Sequence, residues 1–200
     1  MGWNPGTEQE IFTLDELCEQ FSLERVHKGG AKFDYEKAKW FNQQHIQLAD
    51  NQRLAKLVMP YFEQANITAS LEKLTEAVEM TKARCHLLKE FVEQAGFLFK
   101  TPETFDIPSI QEKWDSNKTE FVQKWLTKID DIGTEPADWE NSMIETATEF
   151  GLKKKDIMLP IRVLLVGGKF GPGIFEVASF IGKEEVKKRL QLGLKPLSAL

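Results

Sequence analysis

The sequence predicts an all-α protein, and three observations carry that expectation. Leu71, Leu74, Val78, Thr81, Cys85, Leu88 and Val92 alternate steps of three and four, so they lie along one helical stripe whose only polar member is Thr81. Good N-caps stand ahead of several apolar-periodic runs: Thr13 with Glu16 three residues on, Asp34, and Ser70. The one run with the composition of a buried strand, Val163 to Val166, has no partner strand elsewhere in the chain. With no repeat and no low-complexity tract, the architecture expected is two packed helical subdomains.

In chain order, Thr13 and Glu16 form a capping-box pattern and Phe12 with Leu17 supplies a hydrophobic staple, so a helix starts near Leu14. Lys28-Gly29-Gly30-Ala31 is a turn, and Asp34 then caps a helix containing Ala38, Phe41 and Ile46. Leu54, Leu57, Val58, Tyr61 and Phe62 recur at helical spacing until Asn66 and Thr68 interrupt them. Ser70 opens the stripe helix, which Gly96 weakens at its end. Thr101-Pro102 with Pro108 marks a linker, because a residue before proline is pushed out of the helical region. Ile110, Trp114, Phe121, Trp125 and Ile129 indicate one or two further helices. Gly133-Thr134-Glu135-Pro136 is a turn whose proline fits the first turn of the next helix. Trp139, Met143, Ala147 and Phe150 form that helix's buried face, and Gly151 ends it. Three short helices follow, near Pro160 to Leu165, Ile174 to Phe180 and Glu184 to Leu194.

At 200 residues, 42% apolar and 28% charged, the chain can bury one core or two small ones. No apolar run approaches the roughly 20 residues of a membrane-spanning helix and no basic-then-apolar leader opens the chain, so a cytoplasmic protein without a membrane partner is expected. Cys18 and Cys85 are too few and too far apart in sequence for a disulfide framework or a zinc site; with only His27, His45 and His86 beside them, no metal is expected. The formal charge of -5 hides an asymmetry. Residues 151 to 200 hold ten Lys/Arg against four Asp/Glu, a balance of +6, while the first 150 carry 16 against 27, or -11. Such opposed halves suggest an anion-binding end on a solubilising body, although Lys187-Lys188-Arg189 alone reads as a solvated helix face.

Catalytic signatures are missing. Lys183 follows Gly182 but is succeeded by Glu184 and lacks the upstream glycine of a phosphate loop. Gly167, Gly168, Gly171 and Gly173 do not make a dinucleotide fingerprint, and neither a Gly-x-Ser-x-Gly elbow nor a His-Glu-x-x-His helix occurs. Asp130-Asp131 and Glu184-Glu185 are adjacent in sequence, so on a helix they diverge into solvent. By itself the chain reads as non-catalytic.

The most informative stretch is Pro160-Ile161-Arg162-Val163-Leu164-Leu165-Val166-Gly167-Gly168-Lys169-Phe170-Gly171-Pro172-Gly173-Ile174-Phe175-Glu176-Val177, followed by Ile181-Gly182-Lys183-Glu184-Glu185-Val186. It joins apolar segments through a cationic Gly/Pro turn with little side-chain bulk, a surface suited to unstacked nucleic-acid bases. This stretch resembles the C-terminal end of bacterial glutamyl-tRNA synthetases. Gly2-Trp3-Asn4-Pro5-Gly6-Thr7-Glu8, Phe12-Thr13-Leu14 and Phe33-Asp34-Tyr35-Glu36-Lys37-Ala38-Lys39-Trp40-Phe41-Asn42 are similar to the segment after the second catalytic signature of that family. The likeness spans essentially all 200 residues, with residues 105 to 150 matching only in general character.

The resemblance implies the end of a stem-contact region at 1–50 and two anticodon-binding helical subdomains, or cages, at 51–105 and 106–200. The family's HIGH-like and KMSKS-like motifs are absent, which implies a piece starting past the catalytic region, with Met1 an added start and no activity of its own. The whole ligase would use ATP and Mg2+ to attach glutamate to tRNA(Glu) in translation; this piece would need no cofactor and would bind tRNA(Glu), not DNA, as a monomer.

Carried over residue by residue, the resemblance makes Arg84, within Ala83-Arg84-Cys85-His86-Leu87-Leu88-Lys89-Glu90-Phe91, the reader of the third anticodon base. An arginine fork pairs with a pyrimidine's acceptors and is repelled by the donors on guanine's pairing edge. Without the resemblance, Arg84 reads as an arginine snorkelling beside the apolar stripe. Arg162, Gly171, Pro172 and Ile174 match the family's other base contacts, with Pro172 and Ile174 as an apolar platform flanked by the arginine. Gly171 departs from the family pattern, where a hydroxyl residue is common. Lys37 and Trp40 match contacts to the inside of the tRNA elbow, and His27 is assigned no role. Two rival readings remain: a helical protein-interaction module presenting Trp114, Phe121 and Trp125, and a free-standing RNA-binding protein derived from a synthetase.

Overall fold

The computed structural model describes residues 2–27, 29, 30 and 32–197, and every regular element among them is helical. Met1, and Lys28 and Ala31 of the expected turn, lie outside the described residues. Helix α1, Leu14–Gln20, starts at the anticipated capping box: the Thr13 hydroxyl accepts from the Glu16 amide (3.2 Å) and the Thr13 amide donates to the Glu16 carboxylate (2.7 Å). It buries none of its residues. Helix α2, Tyr35–Leu48, is capped by Asp34, which accepts from the Lys37 amide at 3.0 Å.

Helix α3, Asn51–Gln64, buries Leu54, Ala55, Val58 and Phe62. Asn66 closes it at φ 55, a left-handed conformation asparagine tolerates, and Ile67 donates back to the Phe62 carbonyl at 2.9 Å. Helix α4, Leu71–Thr81, opens at Ser70 as expected but stops in the middle of the stripe. Lys82–Arg84 tightens into a 3-10 turn and Cys85 is extended (φ -105, ψ 129). The amides of His86 (2.7 Å) and Leu87 (3.3 Å) then turn to the Glu90 carboxylate, and helix α5 runs Glu90–Ala95. Thr81 and Cys85 nonetheless stay buried in line with Leu74 and Val78. The periodicity marked burial correctly and continuity wrongly, because a nearby carboxylate competes for the amides a helix would use.

Past the linker, helix α6, Ser116–Leu126, and helix α7, Pro136–Glu149, stack Phe121, Trp125, Trp139 and Met143 into the interior, each no more than 1% exposed. Gly151 (φ 65) ends α7 as anticipated. Helix α8, Lys154–Val166, begins six residues before the expected start at Pro160 and keeps that proline inside it. An internal proline costs about 3 kcal/mol. The burial of Ile157, Ile161, Val163, Leu164 and Leu165 along the same helix offsets it, at about 1.5–3 kcal/mol per large side chain. Helix α9, Ile174–Leu197, is broken at Gly182 (φ 78, ψ 167) into the two arms the sequence suggests.

The core is one contiguous apolar cluster from Ile46 to Leu197. Phe62, Phe99 and Phe180 bridge its two halves in successive edge-to-face contacts of 5.7 and 5.5 Å. Arg189, fully buried, completes the joint. Its guanidinium donates to the Lys100 carbonyl (3.1 Å), to the Leu165 carbonyl at the end of α8 (2.8 Å) and to Glu185 (2.8 Å). Glu185 also accepts from Thr101 (2.6 Å). Burial pushes the Glu185 carboxyl up, but these donors outweigh it and hold it below the ordinary value.

Candidate nucleic-acid interface

Arg162 projects half-buried from α8, and its Nη1 donates to the Pro172 carbonyl at 2.7 Å, tying the Gly/Pro turn to the helix. Gly171 adopts φ 148, and a Cβ there would lie 3.4 Å from that same Nη1 and 3.6 Å from Phe97 and Val166. The glycine that departs from the family pattern therefore stands where the backbone itself favours glycine. The ends of the turn are held too: Gly167 caps α8 at φ 86, and its carbonyl accepts from the Asp106 amide at 2.9 Å.

Arg84 comes from the other half of the molecule, on the 3-10 turn after α4, and is exposed. Its neighbour Cys85 is fully buried, its thiol pushed up to about 12 by burial and by the charges of Glu90 and Glu93. The stripe thus anchors the turn through Cys85 and leaves Arg84 outside the core. Burial, and then the positive charge of Arg84, lower the affinity of Arg162 for its proton. Neither guanidinium has a carboxylate partner among the described residues. Gly171 thus lies against Arg162, and the positive charge of Arg84 reaches the same guanidinium.

The apolar platform expected there is absent. Ile174 is 1% exposed and Pro172 is buried, so both residues are packed away from solvent. The exposed apolar group of the turn is Phe170, to which no motif assigns a role. Its only sequence signal is an aromatic ring among four glycines with no neighbours to cover it.

Lys37 and Trp40 lie on α2, which contacts the segment around Arg84. Asn42 donates to the His86 carbonyl, Gln43 to the Ala83 carbonyl at 3.3 Å, and Lys39 stands 4.0 Å from Glu90. Helix α2 is therefore docked on the turn that carries Arg84, a connection no motif announces. Lys37 is paired with Glu10 at 2.6 Å, and Trp40, 39% exposed, packs edge-on against Phe41. Burial works to raise the Glu90 carboxyl, but the His86 and Leu87 amides, with Lys39, hold it below its ordinary value.

The lysine-rich end of the chain adds less than its charge suggests. Lys187 pairs with Asp130 and Glu184, Lys188 lies 3.5 Å from Glu185, and Arg189 is internal. Of the aromatic residues that would serve a protein partner, Phe121 and Trp125 are each 1% exposed, and Trp114 is half-buried with its indole N–H donating to Thr119 at 2.9 Å. Among the described residues no cluster of His, Cys, Asp and Glu could hold a metal, and no helix is long and apolar enough to cross a membrane.

Known proteins share both this sequence and this architecture. A family described as "Anticodon binding domain" matches residues 53–194. The glutamate-tRNA ligase of Christiangramia forsetii is 40% identical over 200 residues, and that of Flavobacterium johnsoniae 37% over 205. These matches cover 98% and 100% of this chain and 39% of each ligase. A solved glutamate tRNA ligase from Elizabethkingia meningosepticum, in complex with its amino acid, superposes with a TM-score of 0.91 at 32% identity, over 98% of this chain and 39% of that one. The chain thus spans about two fifths of the length of these relatives.

Proposed function

We propose that this chain, which belongs to the anticodon-binding domain family, is the anticodon-recognition region of a glutamate-tRNA ligase and holds the loop of tRNA(Glu). The observation that carries this reading is Arg162, which has no carboxylate partner among the described residues and feels the like charge of Arg84, tied by its Nη1 to a turn of low side-chain bulk. Like charges held together without a counter-ion favour an anionic partner, and a guanidinium fork discriminates between pairing edges. In this reading residues 1–50 end the stem-contact region, with Lys37 and Trp40 at the tRNA elbow, and 51–105 and 106–200 are the two cages. Arg84 reads the third anticodon base; Arg162 and Gly171 hold the others, with Pro172 and Ile174 shaping the turn from beneath.

The contribution to ligation is differential binding: a mismatched base leaves buried polar groups unpaired, so the wrong tRNA is held less well. ATP and Mg2+ belong to the whole ligase, which acts in the cytoplasm as a monomer. The test is filter binding of tRNA(Glu) and tRNA(Gln) across a salt series. Affinity for tRNA(Glu) falls steeply with salt. Arg84→Ala narrows the preference for tRNA(Glu) more than it weakens total binding. Equal retention of both tRNAs by the unsubstituted protein overturns the assignment of Arg84.

A further inference from the structure

Phe170 is 81% exposed, more than Leu14, Leu23 or any other large apolar side chain that reaches solvent among the described residues. Those others fall almost entirely at or before Tyr61; beyond it only Leu159, at 38%, and Phe170 stand out of a well-packed half. The ring has no aromatic or cationic partner among the described residues. Leaving a phenyl group in water forgoes about 1.5–3 kcal/mol of burial. The turn that carries it is nevertheless held at several points. Lys169 stands 3.7 Å from Asp106, the Gly167 carbonyl accepts from the Asp106 amide, the Pro172 carbonyl from Arg162, and the Gly173 amide donates to Glu176 at 3.2 Å.

We infer that Phe170 is a stacking platform for one unpaired base of the bound RNA loop, an inference that rests on the anticodon-recognition reading above. Single-stranded bases splayed from a loop pack on aromatic faces, and any base can use the face because stacking does not depend on its edge pattern. The adjacent residue, Gly171, lies against the Arg162 guanidinium, so one short segment offers an aromatic face and a cation to a partner with flat rings and negative charge. This ring supplies the apolar surface that the buried Pro172 and Ile174 do not. A turn fixed before binding loses little freedom on capturing a base. The division of labour is then plain: Phe170 contributes affinity without regard to sequence, and Arg84 contributes discrimination.

The experiment titrates the full chain with a stem-loop RNA carrying the glutamate anticodon, and repeats it with single abasic nucleotides around the loop. Phe170→Ala weakens binding about 5-fold or more, the lower end of a base-aromatic stack, with unchanged thermal melting, and Phe170→Trp restores it. One abasic position costs the unsubstituted protein a similar factor and costs Phe170→Ala nothing, which identifies the stacked base. Equal affinity of the unsubstituted chain and Phe170→Ala, with the complex otherwise intact, overturns this inference alone. Failure of the unsubstituted chain to bind the stem-loop overturns the RNA reading and this inference with it.

Discussion

Two arginines flank the core of the second half and meet opposite fates. Arg189 is completely enclosed, and each branch of its guanidinium has an acceptor, one of them the counter-charge of Glu185. Arg162 is half-buried and donates to the Pro172 carbonyl, and the charge it feels is another arginine. The first arrangement is complete without a ligand; the second leaves donors and positive charge unspent. Burial alone therefore does not mark a binding residue. Unsatisfied valence at the surface does.

The comparison is broken most directly at Arg189. Arg189→Met leaves Glu185 without its buried partner and two carbonyls unpaired, and should lower unfolding free energy by about 3 kcal/mol in urea titrations. Arg162→Met removes one hydrogen bond and relieves repulsion, so its cost should stay near about 1 kcal/mol; equal costs would erase the distinction. Gly171→Ala places a Cβ at φ 148 against Arg162. It should cost about 1–2 kcal/mol in the same titration, because an L side chain rarely adopts that backbone conformation. Arg84→Ala should move the urea midpoint least, within about 0.5 kcal/mol, while reducing discrimination between the two tRNAs.

Acid sharpens the same contrast. Glu90 and Glu185 both have folded values below the ordinary 4.5, so their contribution is complete above that pH and is lost as pH falls through the folded values. Melting followed from about pH 6 downward should be flat to about pH 4.5 and fall below it. Glu90→Gln and Glu185→Gln should each flatten part of that fall. The smallest effect is chemical: a thiol reagent at neutral pH should modify exposed Cys18 and leave Cys85, buried and raised to about 12, untouched until unfolding.

Much of the fold is legible in the residues. Thr13, Asp34 and Ser70 cap helices where their side chains promise, and Gly151 and Gly182 end or break helices. Such signals are local: a side chain reaching an amide three residues on needs nothing from the rest of the molecule. The interruption at Thr81 and the extension of α8 through Pro160 are not legible, because the first turns on which amides the Glu90 carboxylate takes and the second on burial that outweighs propensity.

The candidate site divides the same way. Charge, spacing and family likeness are enough to single out Arg84, Arg162 and the Gly/Pro turn as residue types fit for RNA. Packing alone decides that the charge of Arg84 reaches Arg162, that Pro172 and Ile174 turn inward while Phe170 faces out, and that Lys187, Lys188 and Arg189 are spent on internal partners. The physical reason is that a side chain's chemistry is written in its own formula, whereas its exposure and its partners are properties of everything packed around it.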